Sequence, residues 1–253
     1  MIDFAGGRVV ITGAAGGVGQ ALVQVFAEAG ASVVACDRAG MDLSADGIAE
    51  AHVFDLLDDD AVDRSVNAII ANGAPVALIS NAGWTRAETL ADVDGQALAD
   101  EMDLNFKSAA RLSKALIPAM RDRPEGAALV FVSSVNAQTH FGNPVYAAAK
   151  AALHAWMRAI ATEEGRHGIR ANAVQPGSIM TPAWAHRIAQ NPGIVQAIQR
   201  LYPLGRLVEP IEVARAAAFL ASSAASGITG AVLPVDAGIS AGNLPFLEQI
   251  ADG

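Results

Sequence analysis

Apolar positions along this chain fall into two alternating rhythms. Short runs in which nearly every residue is apolar begin at Arg8 (RVVIT), Ala31 (ASVVAC), Ala51 (AHVF), Pro75 (PVALIS), Ala127 (AALVFVS), Ile169 (IRANAV) and Ala231 (AVLPV). Runs of this length with no polar face predict strands buried on both sides. Between most of them lie longer stretches with apolar residues at helical spacing: Val18 to Ala29, Asp58 to Ala71, Gly95 to Met120, Tyr146 to His167 and Pro210 to Ser222. Two-faced strands separated by helices predict a parallel sheet covered by helices on each face, a doubly wound α/β fold. No repeat or linker interrupts the pattern, so residues 1–253 are expected to form a single domain. Only the stretch from Met180 to Val208 breaks the rhythm, with its prolines, Trp184 and Tyr202. An excursion of that length after a strand predicts a substrate-covering lid at about 180–208, because loops at the carboxyl ends of strands form the binding crevice.

Composition narrows the function. Lys and Arg number 17 against 26 Asp and Glu, a net charge of −9, and no basic cluster stands out. That balance argues against nucleic acid, whose binding rests on basic residues meeting phosphates. Two long uncharged runs, Val9 to Ala27 and Ala216 to Val235, carry Gly, Ser, Thr or Gln near their middles. They suit strand–loop–helix units better than bilayer spans. The opening MIDFAGG lacks a basic n-region, and the single Cys36 cannot form an internal disulfide. A cytoplasmic protein, bound neither to membrane nor to nucleic acid, is expected.

The first chemical signal is TGAAGGVG, Thr12 to Gly19, set between the strand RVVI and an apolar helix. Glycines there let the backbone turn sharply and approach a pyrophosphate, whose charge then lies at a helix N-terminus. This is the setting of a Rossmann-like dinucleotide fold. Asp37 ends the second strand about twenty residues on, where a carboxylate accepts hydrogen bonds from ribose hydroxyls and repels a 2′-phosphate. NAD is therefore expected over NADP. Arg38 is the one neighbour able to pair with such a phosphate, and Gly16 offers no basic side chain.

The second signal is Tyr146 and Lys150 in YAAAK. Residues four apart on a helix share a face, and a nearby ammonium favours a phenolate, which predicts a Tyr146 whose pKa is pulled toward neutral pH. Ser134 closes the strand-like AALVFVSS, and the Gly142-Asn143-Pro144 turn folds the chain back so that a hydroxyl can meet the pair. Adjacent strand residues point to opposite faces, so only one of Ser133 and Ser134 can do this. Ser134 is preferred, with Ser133 as the alternative.

Together these motifs resemble the short-chain dehydrogenase/reductase family in its compact form of roughly 250 residues, over nearly the whole chain. Gly13, Gly17 and Gly19, with Val18 between, match its TGxxxGxG loop. Asp55 and Leu56 look like its adenine-contacting pair, and Asn81, Ala82 and Gly83 look like its NAG turn. Pro176, Gly177, Ile179 and Thr181 match its PGxxxT stretch. The resemblance implies that Tyr146 exchanges a proton with the substrate oxygen and that Ser134 holds that oxygen. It implies that Lys150 lowers the Tyr146 pKa and binds the nicotinamide ribose, and that Asn105 supports a water joining Lys150 to solvent. Thr181 would bind the carboxamide. A homotetramer or homodimer is implied as well. The usual Asp-Gly-Gly near the end reads Asp236-Ala237-Gly238 here, and the interval from Ser134 to Tyr146 is one position shorter than a common family spacing.

The resulting expectation is an NAD-dependent oxidoreductase interconverting a secondary alcohol and a ketone. Trp84, Asn136, Gln138, His140, Met180 and Trp184 are candidate substrate contacts, and amides beside aromatic faces suit a small sugar, polyol or cyclic diol. A 3-oxoacyl thioester reductase is the alternative within the class. A non-catalytic dinucleotide sensor or scaffold is the alternative outside it. The histidines show no metal-ligand spacing, and no metal is expected.

Overall fold

The computed structural model describes residues 2–85, 89–181 and 185–251. Seven strands form one parallel sheet in the order β3-β2-β1-β4-β5-β6-β7. They are β1 (Arg8–Thr12), β2 (Ser32–Asp37), β3 (Ile48–Val53), β4 (Ala77–Ser80), β5 (Ala127–Val132), β6 (Ile169–Pro176) and β7 (Val232–Val235). Strand alternation divides the core in two. Val10, Val34, Leu78, Leu129 and Phe131 face one side, beneath α2 (Asp59–Ala71), α4 (Ser108–Arg121) and α5 (Pro144–Glu164). Val9, Ile11, Val33, Ile79 and Val130 face the other, beneath α1 (Gly17–Glu28) and α8 (Pro210–Ala221). Both faces are covered over the inner strands, so β1, β2, β4 and β5 read as near-continuous apolar runs. The edge strands β3 and β7 have no fully buried residue, and β3 starts at Ile48 and alternates half-buried with exposed positions rather than being apolar on both faces as expected from AHVF.

The strand order reverses between β1 and β4, which leaves a crevice beyond their carboxyl ends. Thr12, Asp37, Ser80, Val132 and Pro176 are the last residues of β1, β2, β4, β5 and β6, so each segment that follows opens onto this rim.

Two predicted elements come out differently. The helix expected from Gly95 to Met120 is broken into α3 (Gly95–Met102), a π turn over Asp103–Lys107, and α4. The Asn105 side chain is the cause: its Nδ2 donates to the Glu101 carbonyl at 3.0 Å, and the Ser108 amide reaches back five residues to Asp103. The stretch expected as an irregular lid contains α6 (Ala185–Gln190) and α7 (Ile194–Gln199). Its two ends are joined, with the Met180 amide donating to the Val208 carbonyl at 2.9 Å and the Val208 amide to the Ser178 carbonyl at 3.0 Å. A last helix, α9 (Leu244–Ala251), exposes Phe246, Leu247 and Ile250. Among the described residues, no helix is long and apolar enough to cross a membrane.

Candidate functional site

The glycine loop crosses the rim directly after β1. Gly13 has φ +64°, a left-handed conformation open to glycine at little cost, and a Cβ there would lie 2.9 Å from the Ala82 Cα. At Gly19 a Cβ would fall 1.9 Å from the Gly13 carbonyl oxygen. Gly16 precedes α1 with no side-chain cap, so the first amides of the helix face the crevice unscreened by a side chain. Asp37 braces the loop from the side, where its carboxylate accepts from the Ala15 amide at 3.0 Å and from the Arg38 amide at 2.8 Å.

A brace from the other side went unread in the sequence. Buried Thr12 accepts through Oγ1 from the amides of both Asn81 and Ala82, each at 3.0 Å. Asn81 answers through Nδ2, donating to the Thr12 and Gly13 carbonyls at 3.0 and 3.1 Å. The Asn81-Ala82-Gly83 turn and the glycine loop are thus one body. A threonine at the last position of the strand feeding the loop was the available signal. Asp55 stands exposed after β3, where its carboxylate accepts from the Leu57 amide, and Leu56 packs against the core.

Ser134, Tyr146 and Lys150 converge beyond β5. Ser134 caps a short helical turn, accepting from the Asn136 amide at 3.2 Å, and its hydroxyl is near enough to the Tyr146 phenol to pull the phenol pKa down. Lys150 Nζ lies 5.5 Å from the centre of the Tyr146 ring and donates to the Val132 carbonyl at 2.9 Å. The two serines separate as strand alternation requires: Ser133 turns inward and places Oγ 2.7 Å from His154 Nε2. Burial, with Arg158 and Lys150 nearby, pushes His154 down to about 4, so this buried ring is neutral. Asn105 is buried inside the π turn, where its amide brackets Trp84: Oδ1 accepts from the Trp84 amide at 3.0 Å and Nδ2 donates to the Trp84 carbonyl at 2.8 Å. A Cβ on Gly83 would meet Asn105 Oδ1 at 2.9 Å and Lys150 Nζ at 3.4 Å, so the glycine lets the three pack against one another.

The electrostatics differ from the sequence expectation. Burial pushes the Tyr146 phenol up to about 12, aided by the charge of Glu101 and opposed by the Ser134 hydroxyl. Burial also pushes Lys150 down to about 8. The ammonium points at a carbonyl rather than at the phenol oxygen, and desolvation outweighs its attraction for a phenolate. In the chain alone, Tyr146 is a proton donor at neutral pH.

The Pro176-Gly177 bend follows β6. The Gly177 amide donates to the Val235 carbonyl at 3.3 Å, Ile179 bridges to Val208, and half-buried Thr181 lies just beyond. Buried Tyr202 accepts from the Ser178 amide at 2.8 Å and packs with Leu207, Ile188 and Ile198, which ties the 180–208 excursion to this bend. The candidate substrate contacts scatter. Trp84, His140 and Met180 are exposed at the rim, whereas Asn136 donates to the Gly142 carbonyl and Gln138 accepts from Gln175, so both amides already serve the loop. Trp184 lies outside the described residues. A cavity of about 380 Å³ lies at the same rim, between Thr139, Phe141, Leu201, Ile239, Leu244 and Pro245. Among the described residues no cluster of three His, Cys, Asp or Glu is placed to hold a metal.

Comparison with known proteins adds to this geometry. A family model described as enoyl-(acyl carrier protein) reductase matches residues 13–240. The chain is similar to a 3-oxoacyl-[acyl-carrier-protein] reductase of Pseudomonas aeruginosa, at 34% identity over 94% of this chain and 99% of that one. It is also similar to a 2,5-dichloro-2,5-cyclohexadiene-1,4-diol dehydrogenase of Sphingobium indicum, at 32% identity over 95% and 100%. The crystal structure of an oxidoreductase from Burkholderia thailandensis, of the short-chain dehydrogenase/reductase family, superposes with a TM-score of 0.88 at 38% identity, covering 97% of each chain.

Proposed function

The chain belongs to the short-chain dehydrogenase/reductase family of oxidoreductases, whose members use nicotinamide dinucleotides, and on that premise we propose that it is an NAD-dependent enzyme interconverting a secondary alcohol and a ketone. The observation that carries the proposal is the meeting of Ser134, Tyr146 and Lys150 beside Asn105 and Gly83, at the mouth of the glycine cradle. The residues present fit a dinucleotide. Gly13 and Gly16 in the loop before α1, and Gly17 and Gly19 in its first turn, carry no side chain, as a backbone that approaches a pyrophosphate requires. When bound, the dinucleotide supplies the hydride acceptor or donor. The chain's part is to orient and to move a proton: Ser134 holds the substrate oxygen, Tyr146 exchanges its proton, and Lys150 positions the nicotinamide ribose beside it. Asn105 supports the water through which Lys150 reaches solvent, Thr181 holds the carboxamide, and the 180–208 excursion covers the substrate.

A small cyclic alcohol, diol or sugar is the substrate class we favour. The cavity lined by Phe141, on the loop that follows Ser134, and by Leu201, Ile239 and Leu244 offers apolar surface of the kind a ring face packs against, and Trp84 is exposed at the rim. Similarity to the cyclohexadiene-diol dehydrogenase supports this reading. Similarity to the acyl-carrier-protein reductase supports the second, a 3-oxoacyl thioester reductase, but the net charge of −9 is ill suited to an acidic carrier. The assembly we propose is a homodimer or homotetramer.

The test is a screen at 340 nm with NAD⁺ and NADP⁺ against cyclic diols, sugars, polyols and hydroxyacyl thioesters. NAD-linked turnover of a cyclic or polyhydroxy alcohol is expected; NADP-linked turnover of a thioester overturns the reading. Cofactor choice is attributed to the Asp37 charge. Asp37→Asn keeps an oxygen for the Ala15 amide while removing the carboxylate that repels a 2′-phosphate, so the ratio of kcat/KM for NAD over NADP should fall about tenfold or more, a change of about 1.4 kcal/mol. An unchanged ratio would assign the preference to another group.

A further inference from the structure

The helix that carries Tyr146 and Lys150 begins at a backbone position unusual for a side chain. Asn143 has φ +49° and ψ 76°, a left-handed conformation, and it precedes Pro144, which restricts the preceding residue further. A residue held this way persists only where its surroundings over-determine it. Asn143 is 4% exposed, and both ends of its amide are engaged. Oδ1 accepts from the Tyr146 amide at 3.2 Å, capping α5 at the residue with the phenol. Nδ2 donates to the Thr85 hydroxyl and, at 3.4 Å, to Glu101 Oε1.

Those two partners belong to the opposite wall of the site. Thr85 lies two residues after Gly83, and Glu101, a carboxylate only 1% exposed on α3, lends its own carbonyl to Asn105. Asn105 in turn brackets Trp84. The turn after β4, the end of α3 and the start of α5 therefore meet at one amide. We propose that Asn143 is a positioning residue: by capping the Tyr146 amide while gripping Thr85 and Glu101, it fixes where Tyr146 stands against the wall formed by Gly83 to Thr85 and Asn105. The inference rests on Tyr146 being the proton-transfer group of the function proposed above. It adds a part of the machinery lying beyond the four residues that touch substrate, cofactor or their water.

The charged or titratable groups facing the Tyr146 phenol are Lys150 on its own helix and Glu101 on α3, and Ser134 adds a neutral hydroxyl from the loop after β5. Releasing the grip opens the half-buried Tyr146 further to water and loosens its relation to both charges. The chain has only two tyrosines, Tyr146 and Tyr202. Full-length protein labelled with 3-fluorotyrosine thus gives two ¹⁹F resonances, whose fluorine brings phenol ionisation into a range a folded protein tolerates. Tyr146→Phe assigns them.

In Asn143→Gly, glycine accepts the positive φ and serves as a cap through its backbone, so the substitution removes the amide and little else. The Tyr146 titration midpoint is expected to fall by about half a pH unit or more toward the ordinary phenol value. With the substrate found in the screen, kcat should fall about tenfold or more at unchanged cofactor KM. An unmoved Tyr146 midpoint, whatever happens to the melting temperature, overturns the proposal. Should Asn143→Gly fail to fold, Thr85→Val removes one grip with near-identical shape and carries the same expectation, and Thr85→Ser should restore the wild-type midpoint. The titration needs neither cofactor nor substrate. Wild-type protein that binds no NADH would therefore sink the functional reading and leave this test standing.

Discussion

Tyr146→Phe should lower kcat by about a thousandfold, within the range of about 10² to 10⁴ that positioned proton transfer contributes, while NADH binding followed by fluorescence stays within about twofold of wild type. The substitution deletes one oxygen. That oxygen is the neighbour of Ser134 and the only phenol at the rim, because Tyr202 is buried against the bend after β6. Lys150 keeps its bond to the Val132 carbonyl in the variant, so its place beside Gly83 and Asn105 survives. Turnover that persists in Tyr146→Phe would hand the proton to another group. The direction of the wild-type pH profile follows from the same residue. Burial holds the phenol protonated, at about 12 in the chain alone. Reduction of a ketone needs that proton and should fall as pH rises through the working pKa of the site, whereas oxidation of an alcohol needs it gone and should rise there.

Most of the scaffold was legible because its signals are local. A strand such as RVVIT or AALVFV is apolar on both faces whatever its neighbours are, so seven strands and a parallel sheet follow from the runs themselves. The glycine loop was legible for a related reason. Absent side chains at fixed spacing after a strand record a close approach, and the structure has Gly13 and Gly19 where a Cβ would collide. The choice between Ser133 and Ser134 was posed by alternation, and in the structure Ser133 turns to His154 while Ser134 turns to Tyr146.

What stayed hidden depends on contacts made across the fold. The Asn105 side chain that disturbs the helix through the Glu101 carbonyl is also held by Trp84, more than twenty positions away, and no periodicity over Gly95 to Met120 carries that information. Thr12 looked like a strand residue until the Asn81 turn closed on it. Asn143 looked like a turn residue until Thr85 and Glu101 closed on it. The pKa directions failed for a physical reason of the same kind. Spacing told that Tyr146 and Lys150 share a helix face, but burial, which sequence does not measure, pushes the phenol up and the lysine down. The helices α6 and α7 have six residues each, too few for a helical period to stand out among prolines.

Gly19→Ala should raise the NADH dissociation constant by at least about a hundredfold, equivalent to about 2.7 kcal/mol, and lower the melting temperature. The new methyl would lie 1.9 Å from the Gly13 oxygen and 2.7 Å from the Ala14 carbonyl carbon and oxygen, all backbone atoms with no rotamer to yield. Relief requires the loop to move. The loop is fixed on both sides, by Asp37 through the Ala15 amide and by Asn81 through the Gly13 carbonyl, so displacement at Gly19 is passed to the bonds holding both walls of the crevice. Gly16→Ala is the matched control. Its Cβ would meet the Gly13 oxygen at 3.4 Å and its φ of −71° suits any residue, so the dissociation constant should change by no more than about threefold. Equal losses in the two variants would mean that the crevice tolerates no added methyl anywhere. A large loss confined to Gly19→Ala would tie cofactor affinity to the contact between the first turn of α1 and the loop that feeds it, with the two walls acting as one piece.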